Sequence, residues 1–245
     1  MIAKSTPLTD LFRDYLIPRW ELPAGVHAAI TTVSSPGNLA LHVGDDPAAV
    51  IRHRRQLSRE LQIAAPVKWL QQYHSTVVVD YQQASFGVAA DAIIAAQTPS
   101  VCAVLTADCL PILLVSHDGA KIAAVHAGWR GLANGIIEQT VARLKLPPAQ
   151  LRAFIGPAIS QDYFEVGGEV RDAFNRDQLL DEATFRPHIA GKWHADLPEL
   201  ARRILARQGV TDVTLSGLCT FSDKRFSSYR QDPRCGRIAT LIWKN

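Results

Sequence analysis

Hydrophobic positions in this chain fall mostly into short apolar or alternating runs, and helical spacing is confined to a few stretches. The densest pattern lies between 101 and 131. Runs at 101–106, 112–115 and 121–125 are almost wholly apolar. Turn-forming or irregular segments bound them: Ala107-Asp108-Cys109-Leu110-Pro111, then His117-Asp118-Gly119, then the segment holding Gly128 and Gly131. Short apolar runs with such boundaries predict buried strands. Further strands are predicted at 26–33, 67–70, 77–79, 90–95, 151–155, 213–215, 226–229 and 238–243, with an extended segment at 38–43 closed by Gly44. Helices are predicted at 8–16 and at 47–61, the latter opened by Asp45-Asp46-Pro47. Others are predicted at 132–144, stopped by Pro147-Pro148, and at 170–174. A last helix runs from the Asp196-Leu197-Pro198-Glu199 capping box to Gln208, with Gly209 after it. The stretch 177–187 carries no clear period. Strands and helices mix without strict alternation, which predicts an α+β fold with antiparallel or mixed sheets. No repeat, linker or low-complexity segment divides the chain, so 1–245 reads as a single domain whose residues 1–20 form a peripheral extension.

Two of the predicted strands meet irregular backbone where a chemically capable side chain stands. Cys109 follows the first run, and Pro111 is expected to forbid a regular strand there; His126 ends the third, where Gly128 and Gly131 permit a tight turn. A thiolate and an imidazole presented at strand ends make a metal pair or a nucleophile–base pair. The plainer alternative is a small core thiol and a structural histidine. His74, between two predicted strands, repeats the pattern. Asp91 sits in an apolar strand and needs a partner, either as a carboxylate orienting a ligand histidine or as a turn cap. Arg130 stands near a predicted helix start, where it can bind an anion or pair with Asp108 or Asp91. Trp129 can stack on a ring-shaped substrate or simply pack. The basic run from Arg52 to Arg59 reads as a solvated helix face with a phosphate contact as the alternative.

Size and charge narrow the classes. A chain of 245 residues, 47% hydrophobic, can bury a large core, and a net charge of +3 gives no case for a nucleic-acid surface. No run approaches the roughly 18 apolar residues that a membrane helix needs. Four cysteines at 102, 109, 219 and 235 show no C-x-x-C pairing, which argues against a zinc ribbon or a disulfide framework. With no export signal at the start, free thiols predict a reducing, cytoplasmic setting. Cys102 reads as core, Cys219 as either site lining or packing, and Cys235 as an exposed bystander.

Thr106-Ala107-Asp108-Cys109-Leu110-Pro111 and His126-Ala127-Gly128-Trp129-Arg130-Gly131 resemble the laccase-domain proteins, also called multicopper polyphenol oxidoreductases or YfiH-like proteins. The resemblance extends to Asn38-Leu39, Gly44-Asp45, Trp69-Leu70-Gln71, His74 and Ala90-Asp91-Ala92. Downstream it takes in Gly156-Pro157-Ala158-Ile159, Phe164-Glu165-Val166, Cys219-Thr220, Ser227-Ser228-Tyr229-Arg230 and Gly236-Arg237. It covers nearly all of the chain after about Trp20. The family usually reads Gln-Val-His around its upstream histidine, whereas this chain has Gln72-Tyr73-His74.

The resemblance implies a four-layer α/β/β/α sandwich in which His74, Cys109 and His126 together bind a metal ion and therefore converge on one cavity. Two imidazoles and a thiolate suit zinc, whose three-ligand sites activate water and polarise electrophiles; the same set occurs in blue-copper sites, so copper is the second metal. A laccase needs several coppers on His-x-His pairs. This sequence has no His-x-His and one Met, at position 1, so a multicopper oxidase is not expected. Family members are described as phosphorolysing adenosine, inosine and 5′-methylthioadenosine and as deaminating adenosine, although the H-x-E…P-C-x-x-C deaminase signature is absent here. The implied partners are a purine nucleoside and phosphate, without nucleic acid or membrane. Arg130, Ser228 and Arg230 are the expected substrate contacts, and Asp91 supports the ligands. Three alternatives remain: a Cys109–His126 amide hydrolase that edits peptidoglycan precursors, a copper-dependent polyphenol oxidase, and a non-catalytic nucleotide-binding protein.

Overall fold

The computed structural model describes residues 10–12, 14–175 and 179–245. Its centre is a six-stranded sheet in the order β13 (Asp212–Leu215), β9 (Leu151–Ile155), β7 (Leu110–Ser116), β8 (Ile122–Ala127), β5 (Ala92–Ala95) and β4 (Val78–Asp80). The inner pairings are antiparallel and the two edge pairings parallel, so the sheet is mixed. A second, wholly antiparallel sheet runs β1 (Asp10–Phe12), β2 (Tyr15–Ile17), β3 (Val26–Ile30), β14 (Ile238–Lys244) and β6 (Ser100–Thr106).

Side-chain alternation explains how these sheets stack. Leu113 and Val115 of β7, with Ala124 of β8 and Phe154 of β9, join the core shared with the antiparallel sheet. Ile112, Leu114, Val125 and Ile155 point the other way, into a core roofed by the helices α2 (Trp129–Asn134), α3 (Ile136–Leu144) and α5 (Leu197–Arg207). Burial on both faces is why these strands read as continuous apolar runs rather than alternating ones. On the far side, Leu57 of α1 (Pro47–Glu60), with Leu61 just after it, enters the core of the antiparallel sheet. The layers are therefore helix, sheet, sheet, helix, in an α+β fold with mixed sheets. Helix ends follow the expected capping: Asp46 accepts from the amides of Ala48 and Ala49, and Asp196 from that of Glu199.

Several elements depart from the sequence pattern. The helix expected at 8–16 falls partly outside the described residues, and its described part is the hairpin β1–β2, turned at Asp14 with φ 68°. Tyr15, Leu16 and Trp20 are buried in the core of the antiparallel sheet. Residues 67–70 form no ladder beyond a bridge from Gln71 to Ala89. The helix of 132–144 begins at Trp129 and is broken by Gly135 at φ 98°. Pro111 sits within β7 as its second residue, near the strand start where a missing N–H is tolerated. Residues 226–229 make turns whose polar groups face Asp108 instead of a strand partner. A third sheet of β10 (Glu165–Gly167), β12 (Lys192–Ala195) and β11 (Phe185–Pro187) was too short to leave a period; β11 lies in the unpatterned stretch 177–187.

Leu113 is fully buried at the middle of the central strand. Leu113→Ala is expected to lower unfolding free energy by about 2–5 kcal/mol in chemical denaturation. A loss under about 1 kcal/mol would mean that this strand is not the packing centre.

Candidate metal centre and cavity

Strand ends and one strained loop assemble the site. Cys109 immediately precedes β7, His126 is the penultimate residue of β8, and Pro111 lies opposite His126 in their ladder. His74 reaches the pair from the loop before β4 in a left-handed conformation, φ 64°. Non-glycine residues rarely hold that conformation, at a cost of about 1–3 kcal/mol unless the surroundings enforce it. Asp91 enforces it. Its fully buried carboxylate accepts from the amides of Tyr73, His74 and Ser75 at 3.3, 3.0 and 2.6 Å and from the Ser75 hydroxyl at 2.6 Å. Consecutive amides around one left-handed residue form a cradle for an anion, and here the anion is the protein's own carboxylate. Gln72 ties the same loop to the edge strand β6, its side-chain amide donating to the Leu105 carbonyl and accepting from the Leu105 amide.

Asp91 also holds the second imidazole. Its Oδ1 lies 2.7 Å from His126 Nδ1. A carboxylate only accepts, so Nδ1 carries the hydrogen and Nε2 is left to face the cavity. The geometry thus gives Asp91 both contacts weighed from the sequence, the imidazole and the turn. His74 Nε2 stands 3.5 Å from Cys109 Sγ, and the ligand atoms of His74, Cys109 and His126 lie within 4.8 Å of one another. Bonds of about 2.3 Å to sulfur and about 2.0–2.1 Å to nitrogen at a tetrahedral centre place those two ligand atoms about 3.5 Å apart. The three residues therefore fit a tetrahedral ion with one position open. Gly128 makes the convergence possible: a Cβ there would sit 2.3 Å from His74 Cδ2 and 3.1 Å from Cys109 Sγ.

Electrostatics prepare the same ligands. Burial alone would raise the Cys109 thiol, but the His126 charge and hydrogen bonds from both imidazoles outweigh it and bring it below the ordinary thiol range. Burial would lower His126, and the Cys109 thiolate with the Asp91 carboxylate pushes it up instead. Each of the two therefore favours the charged form of the other. Cys102, fully buried in β6, is pushed far up by burial and is inert. Cys219 accepts from the Ser160 amide and hydroxyl and does not line the cavity, and Cys235 is half-buried beside the Arg237 guanidinium.

The centre opens into a cavity of about 480 Å³, within the range of small-molecule sites. Three arginines line it, each over an aromatic face: Arg130 over Trp129 at 4.4 Å, Arg230 over Phe164 at 5.4 Å and Arg237 over Tyr229 at 5.6 Å. Such stacking fixes the guanidinium plane; Arg230 donates part of its N–H edge to the Tyr163 and Glu165 carbonyls, and Arg237 one N–H group to the Cys235 and Gly236 carbonyls. Among the described residues no carboxylate pairs with any of the three. Arg130 does not meet Asp108 or Asp91, the partners weighed from the sequence. Asp108, at φ 81°, is saturated by the Thr220 and Ser228 hydroxyls and the Arg230 amide. Ser228, expected as a substrate contact, is buried behind the wall with its hydroxyl on Asp108. Arg230 does line the cavity, its guanidinium donating to the Tyr163 and Glu165 carbonyls. Tyr73, where the family pattern has valine, is 53% exposed and leaves the centre undisturbed. Arg237 and His42 were not singled out from the sequence. The trace of both is the Asn38-Leu39, Gly44-Asp45 and Gly236-Arg237 set, because Asn38 Oδ1 accepts from the Ala40 and Arg237 amides and holds the two segments together.

The chain belongs to the multi-copper polyphenol oxidoreductase laccase family, which it matches over residues 25–245. It is 44% identical over 239 residues to a Pseudomonas aeruginosa protein named purine nucleoside phosphorylase, covering 94% of this chain and 98% of that one. The Escherichia coli K12 protein named purine nucleoside phosphorylase YfiH is 39% identical over 238 residues, covering 93% and 98%. Among solved structures, a Neisseria meningitidis protein of family DUF152 superposes with a TM-score of 0.89 at 42% identity, over 95% of this chain and 100% of that one. YlmD from Geobacillus stearothermophilus gives 0.86 at 27% identity, over 97% and 98%.

Asp91 yields a signed pH dependence. Burial opposes its ionisation, but hydrogen bonds from His126 and Ser75 outweigh burial and hold the carboxyl at about 2. A depressed folded value stabilises above the unfolded value of about 3.9, and that stability is lost as pH falls toward about 2. Asp91→Asn, which sets an amide among donors, is expected to cost about 3–5 kcal/mol at neutral pH. It should also flatten the decline between about pH 4 and 2. Urea midpoints across that range read both, and an unchanged acid slope would remove Asp91 from this role.

Proposed function

We propose that this chain is a purine nucleoside phosphorylase that holds zinc on His74, Cys109 and His126 and takes phosphate on Arg130, Arg230 and Arg237. The carrying observation is the set of three acid-free arginines, each stacked on an aromatic ring, around a cavity that ends at a two-histidine, one-cysteine centre. A planar fork of N–H donors matches phosphate geometry, and guanidinium groups without a carboxylate partner favour a dianion. The names of the relatives at 44% and 39% identity support the same activity. Adenosine, inosine and 5′-methylthioadenosine are the proposed nucleosides.

The chain's own residues position the reaction. The arginines hold phosphate so that one oxygen forms a bond to ribose C1′ while the bond from C1′ to the purine nitrogen breaks. The purine departs with that electron pair and takes up a proton. The apolar walls, Leu70, Leu105, Ile159 and Leu197, limit water at the same carbon. When bound, zinc supplies Lewis acidity beside the reacting groups. Zinc fits the open three-ligand set better than a multicopper arrangement does; a single copper ion is also compatible with two imidazoles and a thiolate. Adenosine deamination is part of the same proposal, although the zinc deaminases use a glutamate and Asp108, which lines this cavity, already accepts from Thr220, Ser228 and the Arg230 amide.

The lowered Cys109 thiol beside His126 favours one second reading, an amide hydrolase with Cys109 as nucleophile. Substitution at Cys109 separates the two. Under the zinc reading, Cys109→Ser weakens metal binding and lowers phosphorolysis, and excess Zn²⁺ restores part of it. Cys109→Asp retains more metal than Cys109→Ser, because a carboxylate is an accepted ligand. Iodoacetamide modifies the metal-stripped protein at neutral pH and spares the zinc-loaded one, while Cys102→Ser leaves metal content unchanged. Metal content and phosphate-dependent release of free base are the measurements. Full metal occupancy in Cys109→Ser with no turnover would falsify the ligand assignment.

A further inference from the structure

We infer that Glu165, His188 and His194 form a second divalent-metal site, on the small third sheet and separate from the His74–Cys109–His126 centre. Their ligand atoms lie within 4.8 Å of one another, and Glu165 Oε2 is 3.4 Å from His188 Nε2. Zinc bonds of about 2.0–2.2 Å at a tetrahedral centre put neighbouring ligand atoms about 3.4 Å apart. The spacing follows from strand register. Glu165 of β10 is the direct cross-strand partner of His194 of β12, so both side chains leave the same face. His188 follows β11, whose Arg186 is the opposite partner of that same His194, and the two imidazole rings stack at 4.4 Å. The side chains of His188 and Glu165 are 44% and 38% exposed, so an ion can enter from solvent and complete its coordination with water.

The ligand set is that of hydrolytic zinc sites, two histidines and a glutamate, and borderline imidazole ligands with one hard oxygen suit Zn²⁺ and Cu²⁺ over Mg²⁺ or Ca²⁺. One charged neighbour opposes binding. The Arg186 guanidinium lies 3.3 Å from His194 Nδ1 and donates to Asp162 Oδ1 at 2.7 Å. Arginine can only donate, so it occupies the Nδ1 lone pair of His194, which an ion bound through that nitrogen would need, while Asp162 offsets its charge. Metal binding displaces Arg186 from His194 onto Asp162 alone. Arg186 is therefore a competitor for the site rather than a part of it. The site also adjoins the cavity wall, because the Glu165 carbonyl accepts from Arg230.

The test uses the full chain stripped of metal, with Zn²⁺ counted by equilibrium dialysis and Cu²⁺ read by electron paramagnetic resonance. The wild type should bind two equivalents of Zn²⁺, and His74→Ala/Cys109→Ala, which empties the cavity centre, should keep one. In that background Cu²⁺ should show coupling to two imidazole nitrogens, and His188→Ala or His194→Gln should each abolish it without altering the circular dichroism. Arg186→Gln in the same background should tighten Zn²⁺ binding several-fold. A single wild-type equivalent that vanishes with His74→Ala/Cys109→Ala overturns the proposal. So does a second equivalent that survives both His188→Ala and His194→Gln. Neither result bears on the phosphorylase reading, which rests on the other centre.

Discussion

The carboxylate of Asp91 is the contact on which the rest of the site depends. It is fully buried and saturated by donors from two places far apart in sequence, the loop at 73–75 and His126. A buried charge is tolerable only when it is paired and hydrogen-bonded. Here the pairing does structural work twice. It forces His74 into a conformation that the residue would not adopt alone, and it fixes the tautomer and tilt of His126. Neither imidazole contacts the other through a hydrogen bond, so their relative placement is set by the acid behind them.

Asp108 repeats the device on the other side of Cys109. Its left-handed backbone turns the chain from β6 into β7, and its carboxylate gathers Thr220, Ser228 and the Arg230 amide, more than a hundred residues away in sequence. Cys109 is thus framed by a strained residue whose strain is held by bonds to the cavity wall. Strain of this kind persists where surrounding contacts over-determine it, and such positions cluster at functional sites. The loss of Ser228 as a cavity contact and the aim of Arg230 have one cause: the segment 228–230 is spent on Asp108.

This also explains what the sequence could and could not disclose. Buried strands such as β7 and β9 were legible because packing on both faces writes an unbroken apolar run. The α5 start was legible because Asp196 caps it locally. The hairpin at Asp10–Ile17 was not, since its apolar spacing suits a helix and the deciding contacts come from β3. Residues 226–229 carry strand-like apolar and hydroxyl positions, yet a carboxylate from a distant turn takes their donors. His74, Cys109 and His126 stood out because each stands at or just beyond the end of an apolar run. His42 and Arg237 interrupt nothing and reach the cavity through Asn38, a contact spanning most of the chain.

Net charge misled in a specific way. A balance of +3 gives no sign of an anion-binding protein, and globally that is correct. Locally both acids near the centre are consumed by the scaffold, Asp91 by the 73–75 loop and His126 and Asp108 by the wall, while Arg130, Arg230 and Arg237 are stacked on rings with no carboxylate partner among the described residues. The cavity is therefore positive although the chain is nearly neutral. In the proposed reading, metal and anionic substrate would draw on different groups: the ion on the sulfur and imidazoles at the floor, the anion on guanidinium groups along the wall. With that separation, a cavity of about 480 Å³ would offer a dianion and a cation different ligands, so that neither need displace the other's.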